Sequence, residues 1–226
     1  MAKRKLTGEP LTRKKILVVD DHAVLREGLV AQINREPNLV VCGEAEDARE
    51  ALSSIGKLKP DLVLVDITLP GRNGLELIRD IRALHPHLPV LVLSMHDESL
   101  FAERVLRAGG RGYVSKRQSG QRLIEGIRRV LNGKVYVSEE VSTKLFDALS
   151  GRQSPKTVSP VEQLTDRELE VFTLIGQAKE TKEISRRLGM SVKTVEAHRA
   201  SIKRKLKLKT GPELTRHAVL WVEAVK

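Results

Sequence analysis

Residues 62–71 read Leu-Val-Leu-Val-Asp-Ile-Thr-Leu-Pro-Gly, and this stretch decides the fold of the first half of the chain. A short apolar run without alternation is typical of a strand that is buried on both faces, as in parallel sheets. Asp66 follows the run directly, and Pro70-Gly71 are turn residues. The stretch therefore predicts a central strand that ends in a carboxylate.

Four further apolar runs flank this one, and amphipathic segments separate them. The runs cover residues 16–19, 39–41, 90–93 and 112–114, and helical periodicity covers residues 24–34, 47–58, 75–84, 99–108 and 121–131. Five strand–helix units in alternation predict an α/β domain with a doubly wound, five-stranded parallel sheet.

The second half of the chain has a different pattern. Residues 150–160 lose periodicity and are rich in turn residues, and Thr165 with Glu168 forms a capping box at the start of a helix. Helices are predicted over residues 139–149, 168–175, 181–188 and 192–206, with a last one from Gly211-Pro212. We expect a basic tail at 1–14, the α/β domain at 15–135, a linker with a helix at 136–163 and a small all-α domain at 164–226.

Charge is distributed unevenly along the chain. The formal net charge is +11, of which residues 1–15 contribute +5, residues 16–150 contribute −1 and residues 151–226 contribute +7. A basic C-terminal module indicates contact with a polyanion, although a solvated lysine-rich surface is the simpler interpretation.

Cys42 is the single cysteine, which excludes an internal disulfide and favours a cytoplasmic protein. No apolar run predicts a membrane span or a signal peptide.

Polar residues follow four of the predicted strands. They are Asp20 and Asp21 after the first, Asp66 after the third, Ser94 at the end of the fourth and Lys116 after the fifth. The carboxyl ends of parallel strands share one edge of a sheet, so these groups should lie together. Each alone has an ordinary interpretation as a cap, turn or surface residue. Together, the clustered carboxylates predict a hard cation with oxygen ligands, most plausibly Mg²⁺.

The first domain resembles the flavodoxin-like receiver domain of bacterial two-component response regulators. The motifs are Val-Asp20-Asp21-His, Leu-Val-Asp66-Ile-Thr-Leu-Pro70-Gly71, Leu-Ser94-Met-His and Gly-Tyr113-Val-Ser-Lys116. The resemblance implies that Asp66 accepts a phosphoryl group from the phosphohistidine of a sensor histidine kinase. It implies that Asp20, Asp21, Asp66 and the backbone carbonyl of Thr68 hold Mg²⁺, and that Lys116 pairs with the phosphoryl oxygens.

Further roles follow from the same resemblance. Ser94 would move to hydrogen-bond the phosphoryl group, and Tyr113 would be an aromatic switch, for which a half-buried strand tyrosine is the alternative. Thr68 and His96 occupy positions that tune the lifetime of the phosphoryl group in the family.

The second domain resembles the helix-turn-helix module of the LuxR/NarL/FixJ group. The matching stretches are Leu164-Thr-Asp-Arg-Glu168-Leu-Glu-Val, Lys182-Glu183-Ile184, Leu188-Gly-Met-Ser191-Val-Lys-Thr194-Val195-Glu-Ala-His198-Arg199 and Ile202-Lys-Arg-Lys-Leu206. The chain departs from the family pattern in the first turn, where Ala178 replaces Gly and Glu180-Thr181 replace Ser-Asn. An alanine in a left-handed turn position would be strained.

Helical spacing divides the recognition helix into two faces. Val195, Ile202 and Leu206 point to the core, and small residues flanked by cations point outward, as major-groove binding requires. The resemblance places base contacts at Glu196, Ala197 and Ala200. The full set expected to bind DNA is Lys182, Lys193, Thr194, Glu196, Ala197, Ala200, Lys203, Arg204 and Lys207.

These observations predict a transcriptional regulator, not an enzyme, whose only chemistry is its own phosphorylation and dephosphorylation. We expect it to bind double-stranded promoter DNA as a homodimer when active. Two alternatives stay open: a phosphorylation-independent DNA binder with the receiver as a dimer scaffold, and a Mg²⁺-dependent phosphatase with an aspartyl nucleophile. The phosphatase is disfavoured because Thr68 stands where such enzymes place a second acid.

Overall fold

The structure, a computed structural model, describes residues 13–118, 120–150 and 160–225. Most of the basic N-terminal tail, and residues 151–159 of the expected turn-rich linker, lie outside the described residues. Five parallel strands form one sheet in the order β2-β1-β3-β4-β5. Their bounds are Lys14–Val19 (β1), Leu39–Ala45 (β2), Leu62–Val65 (β3), Val90–Ser94 (β4) and Gly112–Ser115 (β5).

Helices cover both faces of the sheet, as the doubly wound pattern predicts. They are Ala23–Asn34 (α1), Ala48–Leu58 (α2), Gly74–Leu84 (α3), Glu98–Ala108 (α4) and Gln121–Leu131 (α5). Ile16 and Val18 point to the side of α1 and α5, whereas Leu17 and Val19 belong to the core on the side of α2, α3 and α4. Alternate residues of β1 are thus buried on opposite faces, which explains why the strand has no polar side.

The C-terminal part is helical. Its elements are Glu139–Leu149 (α6), Asp166–Gly176 (α7), Thr181–Arg187 (α8), Val192–Lys205 (α9) and Gly211–Val225 (α10). The capping box of Thr165 and Glu168 is present at the start of α7. Helices α7 and α10 lie in close contact, since a Cβ on Gly176 would meet the Ala218 carbonyl oxygen at 2.4 Å. This tight approach requires glycine at position 176.

Two non-glycine residues in turns of the helical domain adopt left-handed backbone conformations. Ala178, after α7, has φ +58°, and Lys207, after α9, has φ +56°. The turn in which Ala178 departs from the family pattern thus keeps the left-handed conformation, and the alanine there is strained. Lys207, which is one of the side chains expected to bind DNA, lies in the turn beyond the end of α9 at Lys205 and not on the recognition helix itself.

The segment between the domains is attached to the sheet domain. Tyr136 forms a parallel bridge with Gly112 on the outer edge of β5. Its carbonyl accepts a hydrogen bond from the Tyr113 backbone N–H at 2.8 Å, and its own N–H donates to the Arg111 carbonyl at 3.0 Å. Glu98 of α4 then accepts from the backbone N–H of Ser138, the cap of α6, at 2.6 Å. Residues beyond α5 thus continue the packing of the sheet domain.

The helical domain packs directly on the sheet domain. Asp166 at the start of α7 forms ion pairs with Arg79 of α3 and Arg104 of α4. Arg104 also donates to the Leu164 carbonyl at 2.9 Å. Arg167 donates through one nitrogen to the carbonyls of Leu188, at 2.6 Å, and Gly71, at 3.3 Å. These contacts join α7 to the loop that follows β3. Within the described residues, no helix is both long and apolar enough to cross a membrane.

Candidate functional site

The polar residues predicted from the strand ends come together at one edge of the sheet. Asp20 and Asp21 follow β1, Asp66 follows β3, Ser94 ends β4 and Lys116 follows β5. Asp20, Asp66, Ser94 and Lys116 are buried, and Asp21 is a quarter exposed. The structure thus brings all five groups to the edge where ligands of doubly wound sheets bind.

Lys116 is the cation at the centre of the cluster. Its Nζ lies 2.7 Å from Asp20 Oδ2 and 2.7 Å from Asp66 Oδ2, with all three side chains at most 4% exposed. Burial raises the pKa of Asp66 to about 6, although the Lys116 charge opposes that rise. Burial lowers the pKa of Lys116, but the Asp66 and Asp20 carboxylates outweigh it, so its pKa is raised. Lys116 therefore stays charged.

The acidic side of the cluster fits a divalent cation. Ligand atoms of Asp20, Asp21, His22 and Asp66 all lie within 4.8 Å of one another. Asp21 Oδ1 is buried without a hydrogen-bond partner, although His22 Nδ1 lies 2.7 Å away. Carboxylate oxygens at this spacing suit Mg²⁺. The sequence argument did not single out His22, and its only signal was its position beside Asp21.

Thr68 and His96 form a second layer at the site. The Thr68 backbone N–H donates to Asp66 Oδ1 at 3.3 Å, and its Oγ1 lies 3.0 Å from His96 Nε2. His96 stacks on Phe101 with ring centroids 4.5 Å apart. Burial, together with the Lys116 charge, lowers the pKa of His96 to about 4, so the ring is neutral at pH 7. A neutral imidazole holds the Thr68 hydroxyl beside the phosphoacceptor candidate.

Ser94 and Tyr113, the expected switch pair, are both buried. Ser94 Oγ accepts a hydrogen bond from the His96 backbone N–H at 3.3 Å. The Tyr113 hydroxyl donates to the His96 carbonyl at 2.7 Å, and the side chain is only 1% exposed. Tyr113 therefore points inward and is more deeply buried than a half-buried strand tyrosine would be.

Most of the expected DNA-binding side chains are exposed. Val195 and Ile202 of α9 are buried, whereas the exposed positions are Lys182, Lys193, Thr194, Glu196, Ala197, Ala200, Arg204 and Lys207, and Lys203 is half-buried. Glu196 Oε1 accepts a hydrogen bond from Thr181 Oγ1 at 2.9 Å and lies 3.6 Å from Arg199 Nε. The structure thus places these residues, apart from Lys182 and Lys207, on α9 as the periodicity predicts.

The start of α9 also faces the sheet domain. Thr194 and His198 line a cavity together with Gly71, Glu76 and Arg79 of the sheet domain. Gly189, in the turn before α9, lies against Pro70, where an added Cβ would be 3.0 Å from the Pro70 Cβ. The two expected functional surfaces, at Asp66 and on α9, are therefore connected through the loop after β3. Sequence reasoning missed this connection.

Comparisons with known proteins agree with this geometry. Residues 16–128 match the family model described as response regulator receiver domain, and residues 162–218 match that of bacterial regulatory proteins, luxR family. The chain belongs to the response regulators with a LuxR-type DNA-binding domain. It is a regulator of transcription and not a conventional enzyme.

Individual relatives cover most of this response regulator. The oxygen regulatory protein NreC of Staphylococcus aureus is 37% identical over 209 residues, which are 91% of this chain and 96% of the relative. A LuxR-family response regulator from Aurantimonas sp. SI85-9A1 superimposes with a TM-score of 0.57 at 34% identity, over 62% of this chain and 99% of the other. A structure described as two RcsB dimers bound to two parallel DNAs gives a TM-score of 0.55 at 25% identity, over 91% and 97%.

Proposed function

We propose that Asp66 is the residue phosphorylated in this response regulator, and that a sensor histidine kinase is the donor. The observation that carries the proposal is the placement of the Asp66 carboxylate 2.7 Å from Lys116 and beside Asp20 and Asp21. Phosphoryl transfer needs an in-line nucleophile and neutralisation of charge on the equatorial oxygens. Asp66 supplies the first, and Lys116 is the protein cation that supplies the second.

Asp20, Asp21, Asp66 and the backbone carbonyl of Thr68 would hold Mg²⁺. When bound, the ion would neutralise negative charge on the transferred group. Lys116 would have a role separate from metal binding, because its Nζ already contacts both Asp20 and Asp66. It can turn from Asp20 to a phosphoryl oxygen without leaving Asp66.

Transfer of the signal would run through β4 and β5. Ser94 Oγ is buried at the end of β4 and can rotate toward a phosphoryl oxygen, which would release the His96 backbone N–H. The His96 carbonyl also accepts a hydrogen bond from the Tyr113 hydroxyl. A shift of the His96 backbone would therefore change the hydrogen bonds of both Ser94 and Tyr113. We propose that this change weakens the packing of the helical domain, and that the 15–135 and 164–226 units then separate about the 136–163 linker.

The separated helical domain would bind double-stranded promoter DNA as a homodimer. Support comes from the exposed small residues Ala197 and Ala200, which are flanked by Lys193 and Arg204 on α9. A helix of this kind can approach base edges while its cations contact phosphates. A pair of recognition helices would read two half-sites.

Phosphoramidate with Mg²⁺, applied to the full chain and to Asp66→Asn and Asp147→Asn variants, tests the proposal. Asp147 lies on α6 and serves as the matched control. Wild type and Asp147→Asn should gain an acid-labile, hydroxylamine-sensitive phosphoryl group and bind selected DNA more tightly, whereas Asp66→Asn should do neither. Equal DNA affinity with and without phosphorylation would favour the phosphorylation-independent binder. Repeated turnover of a phosphate ester would favour the phosphatase.

A further inference from the structure

The helical domain forms one wall of the phosphorylation pocket. A cavity of about 560 Å³ lies over Asp66, Thr68 and Lys116, and its opposite side is formed by α7 and α8. Leu174 of α7, Gln177 directly after α7, and Arg186 and Arg187 of α8 line this side. The phosphoacceptor candidate therefore faces cationic side chains of the DNA-binding domain across an open space.

Contacts near the cavity hold that wall in place. Arg104 and Arg79 bind Asp166 at the start of α7. Arg167 donates to the Gly71 carbonyl, in the loop that follows Asp66, and Gly189 after α8 lies against Pro70. Helix α8 is thus fixed to the same loop that carries the reactive carboxylate.

Only part of the positive charge around the cavity is already neutralised. Lys116 is shared between Asp20 and Asp66, and Arg187 lies 2.8 Å from Glu183 on its own helix. Within residues 13–118, 120–150 and 160–225, the Arg186 side chain has no hydrogen bond or ion pair, and it is exposed. Arg186 is therefore the cation that can turn to an anion in the cavity without breaking a contact.

We infer that Arg186 of the DNA-binding domain binds the phosphoryl oxygens of small phosphodonors when the two domains are packed together. The inference rests on the proposed phosphorylation of Asp66. Small anions such as phosphoramidate or an acyl phosphate fit the cavity, whereas a kinase domain needs the wall to move away. Guanidinium groups suit this task because their donors match two oxygens of a phosphoryl group.

The reaction with phosphoramidate needs no reactant other than Asp66 and the donor. One Asp66 oxygen forms a bond to phosphorus while the phosphorus–nitrogen bond breaks. The nitrogen, protonated in the donor, leaves with the electron pair of that bond as ammonia. The phosphoryl group moves toward Asp66 and Lys116 and away from α8, so Arg186 holds the donor more strongly than the product.

Initial rates of phosphorylation against phosphoramidate concentration test this role in the full chain. Arg186→Ala should raise KM about fivefold with little change in the limiting rate, because a charge-assisted contact to the donor is lost. Arg186→Glu should raise KM further, and Arg186→Lys, which keeps the charge but loses the paired donors, should recover part of the loss. Arg35→Ala, an exposed arginine after α1 at the other end of the sheet, should behave as wild type.

The dependence of KM on ionic strength distinguishes a direct contact between Arg186 and the donor from a structural effect of the substitution. KM of wild type should rise with ionic strength more steeply than KM of Arg186→Ala. A KM for Arg186→Ala equal to that of wild type, or an Arg186→Lys variant as impaired as Arg186→Ala, would overturn the inference. Failure of wild type itself to be phosphorylated would instead overturn the proposed function.

Discussion

Arg104 Nη1 of α4 lies 2.9 Å from Asp166 Oδ1 of α7, and this ion pair joins the receiver to the DNA-binding domain. The Arg104 side chain is one-fifth exposed, and the Asp166 side chain is less exposed still. Partial burial gives such a pair more weight than an ordinary surface ion pair.

Removal of this pair should open the resting protein. Arg104→Ala should bind DNA about tenfold more tightly than wild type before phosphorylation. The reason is that the free energy favouring the packed arrangement of the two domains falls by about 1.4 kcal/mol. Arg107→Ala is the control, because Arg107 lies on the same helix and pairs with exposed Glu103 and not with the DNA-binding domain as the structure describes it. Titrations of unphosphorylated protein on a selected DNA fragment measure the effect. Equal affinities for the two variants would contradict the prediction.

Lys116→Ala should separate phosphorylation from its effect. Some phosphorylation should remain, because Asp66 is still present, but DNA affinity should no longer respond. The variant should also lose about 3 kcal/mol of unfolding free energy, because the buried carboxylates of Asp20 and Asp66 lose their cation. Urea unfolding and phosphate incorporation are the two measurements. A variant with wild-type stability would show that the Lys116 charge does not stabilise these carboxylates.

Ala178→Gly should stabilise the DNA-binding domain. Ala178 has φ +58°, a conformation that costs an L-residue about 1 to 2 kcal/mol and costs glycine little. The expected gain in unfolding free energy is about 0.5 to 1 kcal/mol after the greater freedom of glycine in the unfolded chain is subtracted. Ala31→Gly, at an exposed position inside α1, should lose a similar amount. Loss of stability in both variants would refute the idea of strain at Ala178.

Stability should fall in mild acid because of His96. The folded protein keeps this ring neutral down to a pKa of about 4, whereas the unfolded chain takes up a proton near pH 6.5. The unfolded state therefore binds more protons between these values, and acid favours it. Between pH 7.5 and pH 5 the unfolding free energy should drop by about 2 kcal/mol on this account. His96→Gln should lack that share of the drop, and parallel pH curves for the two proteins would disprove the assignment.

Glu196→Ala should relax preference at one base pair of the operator by about 1 to 3 kcal/mol, because a glutamate can accept from cytosine N4. Lys203→Ala is the comparison, since loss of a phosphate contact should weaken all sequences alike and lower the salt slope by about one unit. Titrations on single-base operator variants measure both. In the free protein Glu196 contacts Thr181 and Arg199. An unchanged preference profile would mean that these contacts are its whole role.

Strand and helix patterns predicted the parallel sheet, the alternation of strands and helices along the chain and the cluster at the edge of the sheet. The apolar run before Asp66 is short and has no polar face, which is typical of a strand in a parallel sheet, and parallel strands bring their carboxyl ends together. The packing of the two domains was not predictable in this way. Arginine and aspartate are both common on helix surfaces, so the sequence does not indicate that Arg104 and Asp166 form an ion pair. Only the folded structure shows that pair.

The burial of helix α7 is a second feature that the sequence does not predict. Its sequence has one apolar face, yet the receiver, α9 and α10 bury residues 167–175 on every side. Glu170 is fully buried, paired with Arg167 at 2.6 Å, and burial raises its pKa to about 8. A glutamate in an amphipathic pattern predicts exposure, so only three-dimensional packing reveals this residue.

The bridge between Tyr136 and Gly112 has a practical consequence for dissecting the protein. Because β5 is the last strand of the sheet, its outer backbone groups would otherwise be free to pair with another chain. A receiver fragment cut directly after α5, at Leu131, would expose that edge and favour self-association through added strands. A fragment that extends through Ser138 keeps the edge covered and should remain monodisperse at higher concentration.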